Sequence, residues 1–153
     1  MAGVVVIGYD GSQDAQRAVD VAAGALRVDA ALVVNVWSSA VATTQPAAPL
    51  AVPLPPSEAE LQGLAEAAQR VADEGAARAR QAGLSAEAVV ARGASPDEIA
   101  QALCDLAETR DATVVVVGRR GQSRLKEVVL GSVSNAAVHD CLRPVLVVPT
   151  RDE

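Results

Sequence analysis

The sequence predicts an α/β fold, a three-layer α/β/α sandwich around a five-stranded parallel sheet, and three observations predict it. Five short runs rich in Val, Leu and Ala recur along the chain, most of them continuously apolar, as strands covered on both faces require. Between these runs lie four segments whose apolar residues repeat at a period near 3.6, the signature of helices with one buried face. Half the residues are hydrophobic, yet the aromatic set is only Tyr9 and Trp37 with no Phe, so the core has to be built from Val, Leu, Ile and Ala. Small side chains of that kind suit parallel strands packed beneath alanine-rich helices.

The first strand runs from Val4 to Gly8. Ser12 N-caps a helix from about Gln13 to Arg27, with Ala15, Ala18, Val19, Ala22, Ala23 and Leu26 on one face. The second strand is Ala31 to Trp37. Ser38 to Pro56 then breaks the rhythm, because it holds five of the eight prolines and little periodicity. A loop of that length is expected to be mobile or to act as a lid over the adjacent cleft. Ser57-Glu58-Ala59-Glu60 is a capping box that opens the second helix, whose stripe is Leu61, Leu64, Ala68, Val71 and Gly75 and which stops at Gly83.

The third strand is Ala86 to Ala91. Ser95-Pro96-Asp97-Glu98 combines an N-cap, a proline at the first helical position and a capping-box glutamate, and the helix it opens buries Ile99, Leu103 and Leu106. Thr113 to Val117 forms the fourth strand. The fourth helix follows Gly131 and turns Val133, Ala136, Ala137 and Cys141 inward, and Val145 to Val148 closes the sheet. Strict alternation of strand and helix gives right-handed crossovers with helices on both faces, in one domain over residues 1–153. The expected strand order is 3-2-1-4-5, a flavodoxin- or Rossmann-like arrangement. Its topological switch point falls between the first and fourth strands, where ligands bind beyond the carboxyl ends.

Charge excludes several functions. A net charge of −6 and a pI near 4.8 make the whole chain a poor partner for nucleic acid, and two aromatic rings cannot furnish a base-stacking platform. Locally the balance reverses: Arg119, Arg120, Arg124 and Lys126 give residues 119–126 a charge of +4 against −10 for the rest. That loop suits a small anion. No apolar stretch approaches roughly 18 residues, so no membrane span is expected, and the opening residues lack a basic leader region. Cys104 and Cys141 match no metal or redox spacing, and the expectation is two free buried thiols in a cytoplasmic protein. His139 falls away from the apolar stripe with no ligand spacing around it. Neither a metal centre nor Ser/His/Asp catalysis is supported.

The chemistry concentrates where the first and fourth strands end, in Gly8-Tyr9-Asp10-Gly11-Ser12 and in Gly118-Arg119-Arg120-Gly121 continuing to Gly131-Ser132. A glycine-rich turn after a strand lets backbone N–H groups approach phosphate oxygens, and the helix that starts near Gly131 offers its positive end to the same anion. Ser132 and Ser134 add hydroxyl donors. The spacing fits neither a Walker A loop nor the dinucleotide fingerprint. Trp37 ends the second strand and is read as a packing residue.

With its opening Val-Ile-Gly-Tyr-Asp-Gly-Ser, its long glycine motif from Val115 to Ser134 and its closing Arg143-Pro144-Val145-Leu146-Val147-Val148-Pro149, the chain resembles the universal stress protein family, ATP-binding subtype. The resemblance covers nearly the whole length. It implies an ATP-binding α/β sandwich, often homodimeric. It sets Asp10 against the ribose or base and the main chain of Val36 against the adenine edge. Gly118, Gly121, Gly131, Ser132 and Val133 hold the phosphates with Ser134 assisting, and Arg119 and Gln122 belong to the same motif. Mg²⁺ is expected to bridge the phosphates.

The resulting expectation is a nucleotide-dependent regulatory or stress-response factor in the cytoplasm rather than a dedicated enzyme. The alternatives are a module that senses or sequesters AMP or a cyclic nucleotide, and a slow ATPase. An apolar last strand at the sheet edge predicts homodimerisation through residues 145–148.

Overall fold

A computed structural model describes residues 3–38, 54–119 and 130–149. Its elements alternate as β1 (Gly3–Gly8), α1 (Gln13–Ala25), β2 (Val28–Trp37), α2 (Glu58–Gln81), β3 (Ser85–Arg92), α3 (Pro96–Thr109), β4 (Val114–Gly118), α4 (Ser132–Asp140) and β5 (Val145–Val148). All strand pairs are parallel, and the order across the sheet is β3-β2-β1-β4-β5. The fold is thus the predicted one. Strand ends differ by a few residues. The largest difference is at β2, which begins at Val28 rather than Ala31 because residues 28–30 pair with the start of β1 and, at Ala30, with β3.

Local chemistry accounts for the helix starts. Ser12 Oγ accepts from Ala15 N at 3.2 Å, and Ser57 and Glu60 exchange both capping-box bonds, at 3.2 and 2.7 Å. Ser95 Oγ accepts from Glu98 N at 3.2 Å, while the Glu98 carboxylate reaches one residue further back than a capping box requires, to Ala94 N. Helix α2 runs one residue short of its cap Ala82, with Gly83 following in the left-handed region.

Side chains alternate across the sheet and divide the interior in two. Val5, Ile7, Tyr9, Val33, Val114 and Val116 point to the α1/α2 side and pack on Ala15, Ala18, Val19, Ala22, Ala76 and Ala79. Val6, Leu32, Val34, Val115 and Val117 point to the opposite side, against Leu103 and Ala107 of α3. Helix α4 is held there by a smaller cluster of Ala100, Ala136 and Ala137. β5 lies at one edge of the sheet, bonded only to β4 among the described strands.

The cysteines correct the sequence reading. Cys104 and Cys141 are joined in a disulfide rather than left as free thiols. The crossovers lay α3 and α4 side by side, which brings the two Cα atoms to 5.1 Å across a sequence separation of 37. Such a distance is within the span a disulfide bridges. Cys141 also proves to be the C-cap of α4 rather than one of its helical residues.

Candidate functional site

The switch point opens where β1 and β4 part at their carboxyl ends. Asp10 and Gly11 form the turn that leaves β1: the Asp10 carboxylate accepts from Ser12 N through Oδ1 at 2.9 Å, and Gly11 has φ +81°, a conformation that disfavours any side chain. The Asp10 carboxylate is therefore held at the rim by the same turn that starts α1. Beside it, Tyr9 is almost fully buried and donates through its hydroxyl to Glu74 Oε1 at 2.7 Å. Burial, reinforced by the bond to the Glu74 carboxylate, pushes the Tyr9 phenol well above its ordinary value.

The end of β2 supplies main-chain groups. The ladder between β1 and β2 stops at Gly8 opposite Val34, with Tyr9 N donating to Val34 O at 2.8 Å. Tyr9 O is taken by Asn35 Nδ2 at 2.9 Å. The N–H and C=O of Val36 point to the same side as those of Val34, since alternate residues of a strand share a hydrogen-bonding edge. They consequently face the gap left where β1 turns away. Trp37 lies next along the strand, with the Arg92 guanidinium 5.3 Å from its ring centroid and Gly93 N donating to its carbonyl at 3.0 Å.

On the β4 side, Gly118 has a tertiary reason to be glycine. A Cβ there would meet Asp14 Cβ at 2.7 Å and the Asp14 carbonyl carbon at 2.9 Å, so the first turn of α1 sits directly on it. Arg119 N donates to Val148 O at 2.8 Å, and Arg119 O accepts from Gly131 N at 2.7 Å. Ser134 Oγ bonds the carbonyls of Arg119 at 2.9 Å and Gly131 at 3.0 Å. Its one hydroxyl hydrogen is committed to these carbonyls. Ser134, 2 % exposed, thereby acts as a fastener between the two ends of the glycine motif rather than as a donor reaching outward.

Helix α4 begins at Gly131 with no side-chain cap, in contrast to the three serine-capped helices. The first-turn amides of Ser132 and Val133 have no intrahelical acceptor, and the helix dipole adds partial positive charge there. Nearby, the buried Arg119 Nε has no hydrogen-bond partner among the described residues. The Arg119 backbone adjoins that uncapped helix start, and a buried guanidinium nitrogen on the same residue without an acceptor among the described residues is chemistry that fits an anionic group.

Asp10, Val36, Gly118, Arg119 and Gly131 to Ser134 all lie at the carboxyl end of the sheet. Gly121 and Gln122 lie outside the described residues, as does most of the loop after Ser38. Sequence reasoning missed two participants. Asn35 carried no motif, and Asp14 was visible only as a residue of the first helical turn. Among the described residues no three His, Cys, Asp or Glu side chains gather as a metal site.

The sequence profile of the Universal stress protein family matches residues 1–149. A universal stress protein of Synechocystis sp. is 41% identical over 58 residues, which make up 38% of this chain and 51% of that protein. The match thus spans about half the length of this curated relative. Among solved structures, a hypothetical protein whose biochemical function was assigned from its structure aligns over 100% of this chain and 99% of its own. Its TM-score is 0.75 at 21% identity. A universal stress protein crystallised in complex with cAMP covers 98% of both chains with a TM-score of 0.62 at 27% identity. One from Archaeoglobus fulgidus, in complex with dAMP, covers 97% of this chain and 98% of its own with a TM-score of 0.59 at 22% identity. The first and third of these structures, at their level of identity, speak to the fold alone.

Proposed function

The chain belongs to the universal stress protein family, and from that premise we propose that it is a nucleotide-binding regulatory protein whose ligand is ATP. The observation that carries this reading is the uncapped start of α4, bonded to the backbone of Arg119, whose buried Nε has no partner among the described residues. Together they favour a phosphate group. Asp10 would bond the ribose hydroxyls, and the Val36 amide and carbonyl would read the polar edge of the base. The cationic residues of 119–126 would hold the β- and γ-phosphates, and Mg²⁺ brought in with them would supply further charge neutralisation. Gly121 and Gln122 extend the cradle in this reading. The residues assigned here bind and orient, and none is assigned as a base for water, so turnover would be slow at most.

Gly131→Asp tests the reading because it separates folding from binding. Gly131 has φ −66° and ψ 161°, a backbone that any residue adopts. Aspartate is a good N-cap, so the variant is expected to keep or raise its thermal stability. Its carboxylate would occupy the anion's place and repel it. We expect calorimetry to find ATP affinity reduced by at least about 100-fold, a loss of roughly 3 kcal/mol. Unchanged affinity would remove the phosphate cradle from α4.

A second reading, a sensor of AMP or a cyclic nucleotide, is favoured by the cAMP complex of the 27% identical structure. Titrating ATP, AMP and cyclic AMP separates the two, since in the ATP reading only a triphosphate brings β- and γ-phosphates to the cationic residues of 119–126. The edge position of β5 also supports pairing with a second copy through residues 145–148. Sedimentation equilibrium at micromolar concentration, with Val147→Lys as the disrupting variant, tests that part.

A further inference from the structure

Helix α4 has two ends with different duties. Its start carries Gly131, Ser132 and Val133, tied to the end of β4 through the Arg119 carbonyl. Its finish is covalently tied to α3 through Cys141 and Cys104. Between them the helix packs through small and medium side chains: Ala136 and Ala137 lie on Ala100, Val133 lies against the Leu103–Ala107 side of the core, and Val138 is about half exposed. Alanine methyl groups bury less area than larger side chains, so the covalent tie at the finish of this nine-residue helix adds to a contact made mostly of small groups. A helix this short moves as a rigid rod, and freedom at its finish reorients the amides at its start.

We propose that the Cys104–Cys141 disulfide is a redox-set clamp on α4, which holds the helix start in register with the end of β4 when oxidised and releases it when reduced. The inference rests on the nucleotide reading above for its functional output. The reductant is a dithiol. One donor thiolate attacks Cys141 Sγ, because Cys141 is partly exposed whereas Cys104 is only 4 % exposed. The Cys104–Cys141 bond breaks, Cys104 leaves as a thiolate and takes up a proton, and a mixed disulfide forms on Cys141. The donor's second thiolate then attacks its own sulfur in that bond, releasing Cys141 as a thiol and closing the donor's disulfide. Two electrons and two protons pass from donor to protein. By linkage, a ligand that prefers the clamped helix also makes the disulfide harder to reduce.

The test compares the full chain oxidised, the same chain reduced by dithiothreitol, and a Cys104→Ser/Cys141→Ser variant. Amide hydrogen exchange over residues 131–141 is read alongside Mg-ATP calorimetry. Reduction is expected to speed exchange in α4 while leaving β1 and α1 protected, and to weaken ATP binding roughly tenfold. The double variant should match the reduced chain and ignore the dithiol. Equal α4 exchange in the oxidised and reduced chains overturns the clamp, whatever ATP does. Faster exchange with unchanged ATP affinity overturns the coupling of clamp to site. Should ATP, AMP and cyclic AMP all fail to bind the oxidised chain, the nucleotide reading falls and the functional output falls with it, while exchange still decides the clamp.

Discussion

The two faces of the sheet are built differently. On one, α1 and the 24-residue α2 cover Val5, Ile7, Tyr9, Val33 and Val116, and an Arg78–Asp20 ion pair bridges the two helices at the rim. On the other, α3 covers the strands and its neighbour α4 packs with Val133, Ala136 and Ala137 and is tied to α3 by a disulfide. The crowded face sets the positions of β1 and β4. The α3/α4 face, where small side chains and a covalent tie hold the shortest helix, carries the glycine motif's last residues. A site that must admit and release a ligand is drawn from the weakly held part of a fold, while the strongly held part keeps its geometry. The same division explains Gly118, which belongs to the motif by sequence but owes its missing Cβ to α1 on the crowded face.

The largest effect that tests this contrast is expected from Ile7→Ala, which opens a cavity where the side chain is fully buried. A loss of about 2–5 kcal/mol is expected in urea unfolding, with exchange accelerated across the whole sheet. A loss under about 1 kcal/mol would mean that the α1/α2 face is no better packed than the other. Gly118→Val comes next. It drives a side chain into the α1 backbone, and an overpacking loss of about 1–3 kcal/mol is expected. Because the cause is steric, this variant should lose stability even with no nucleotide present.

Alkaline pH is a milder probe of the same face. The folded state raises the Tyr9 pKa, so the stability that the neutral phenol contributes is complete below the unfolded value of 10.0 and is lost as pH rises above it. Tyr9 is the single tyrosine of the chain, so its phenolate absorbance reports one site. That absorbance is expected to appear only together with unfolding, and a simple titration at 10.0 in the folded protein would show that the Tyr9–Glu74 pair is open to water. The smallest effect belongs to Arg78→Ala. Its bidentate pair with Asp20 is geometrically good, at 2.7 and 2.9 Å, but well exposed, and less than about 1 kcal/mol is expected, falling further with salt.

Much of the architecture was legible because its causes are local. Ser12, Ser57 and Ser95 start helices through bonds that span three residues, and short β-branched runs such as Val114 to Val117 favour strands buried on both sides. The candidate site was legible in outline, since the switch point follows from strand order. Its finer assignments were not. Ser134 reads as an available hydroxyl until its bonds to Arg119 and Gly131 are seen, and Asn35 reads as an ordinary strand residue until it is found on the Tyr9 carbonyl.

Periodicity, caps and glycine spacing, properties of residues close along the chain, were enough to determine the order of elements and the parallel sheet, and to single out one end of it as the candidate site. Tertiary structure alone decided which distant residues meet: Cys104 with Cys141, Asp14 over Gly118, and the Val36 main chain beyond the last rung of β1. The physical reason is that a crossover connection turns sequence separation into spatial contact. No pattern in one strand or helix records what its neighbour on the same face will bring against it.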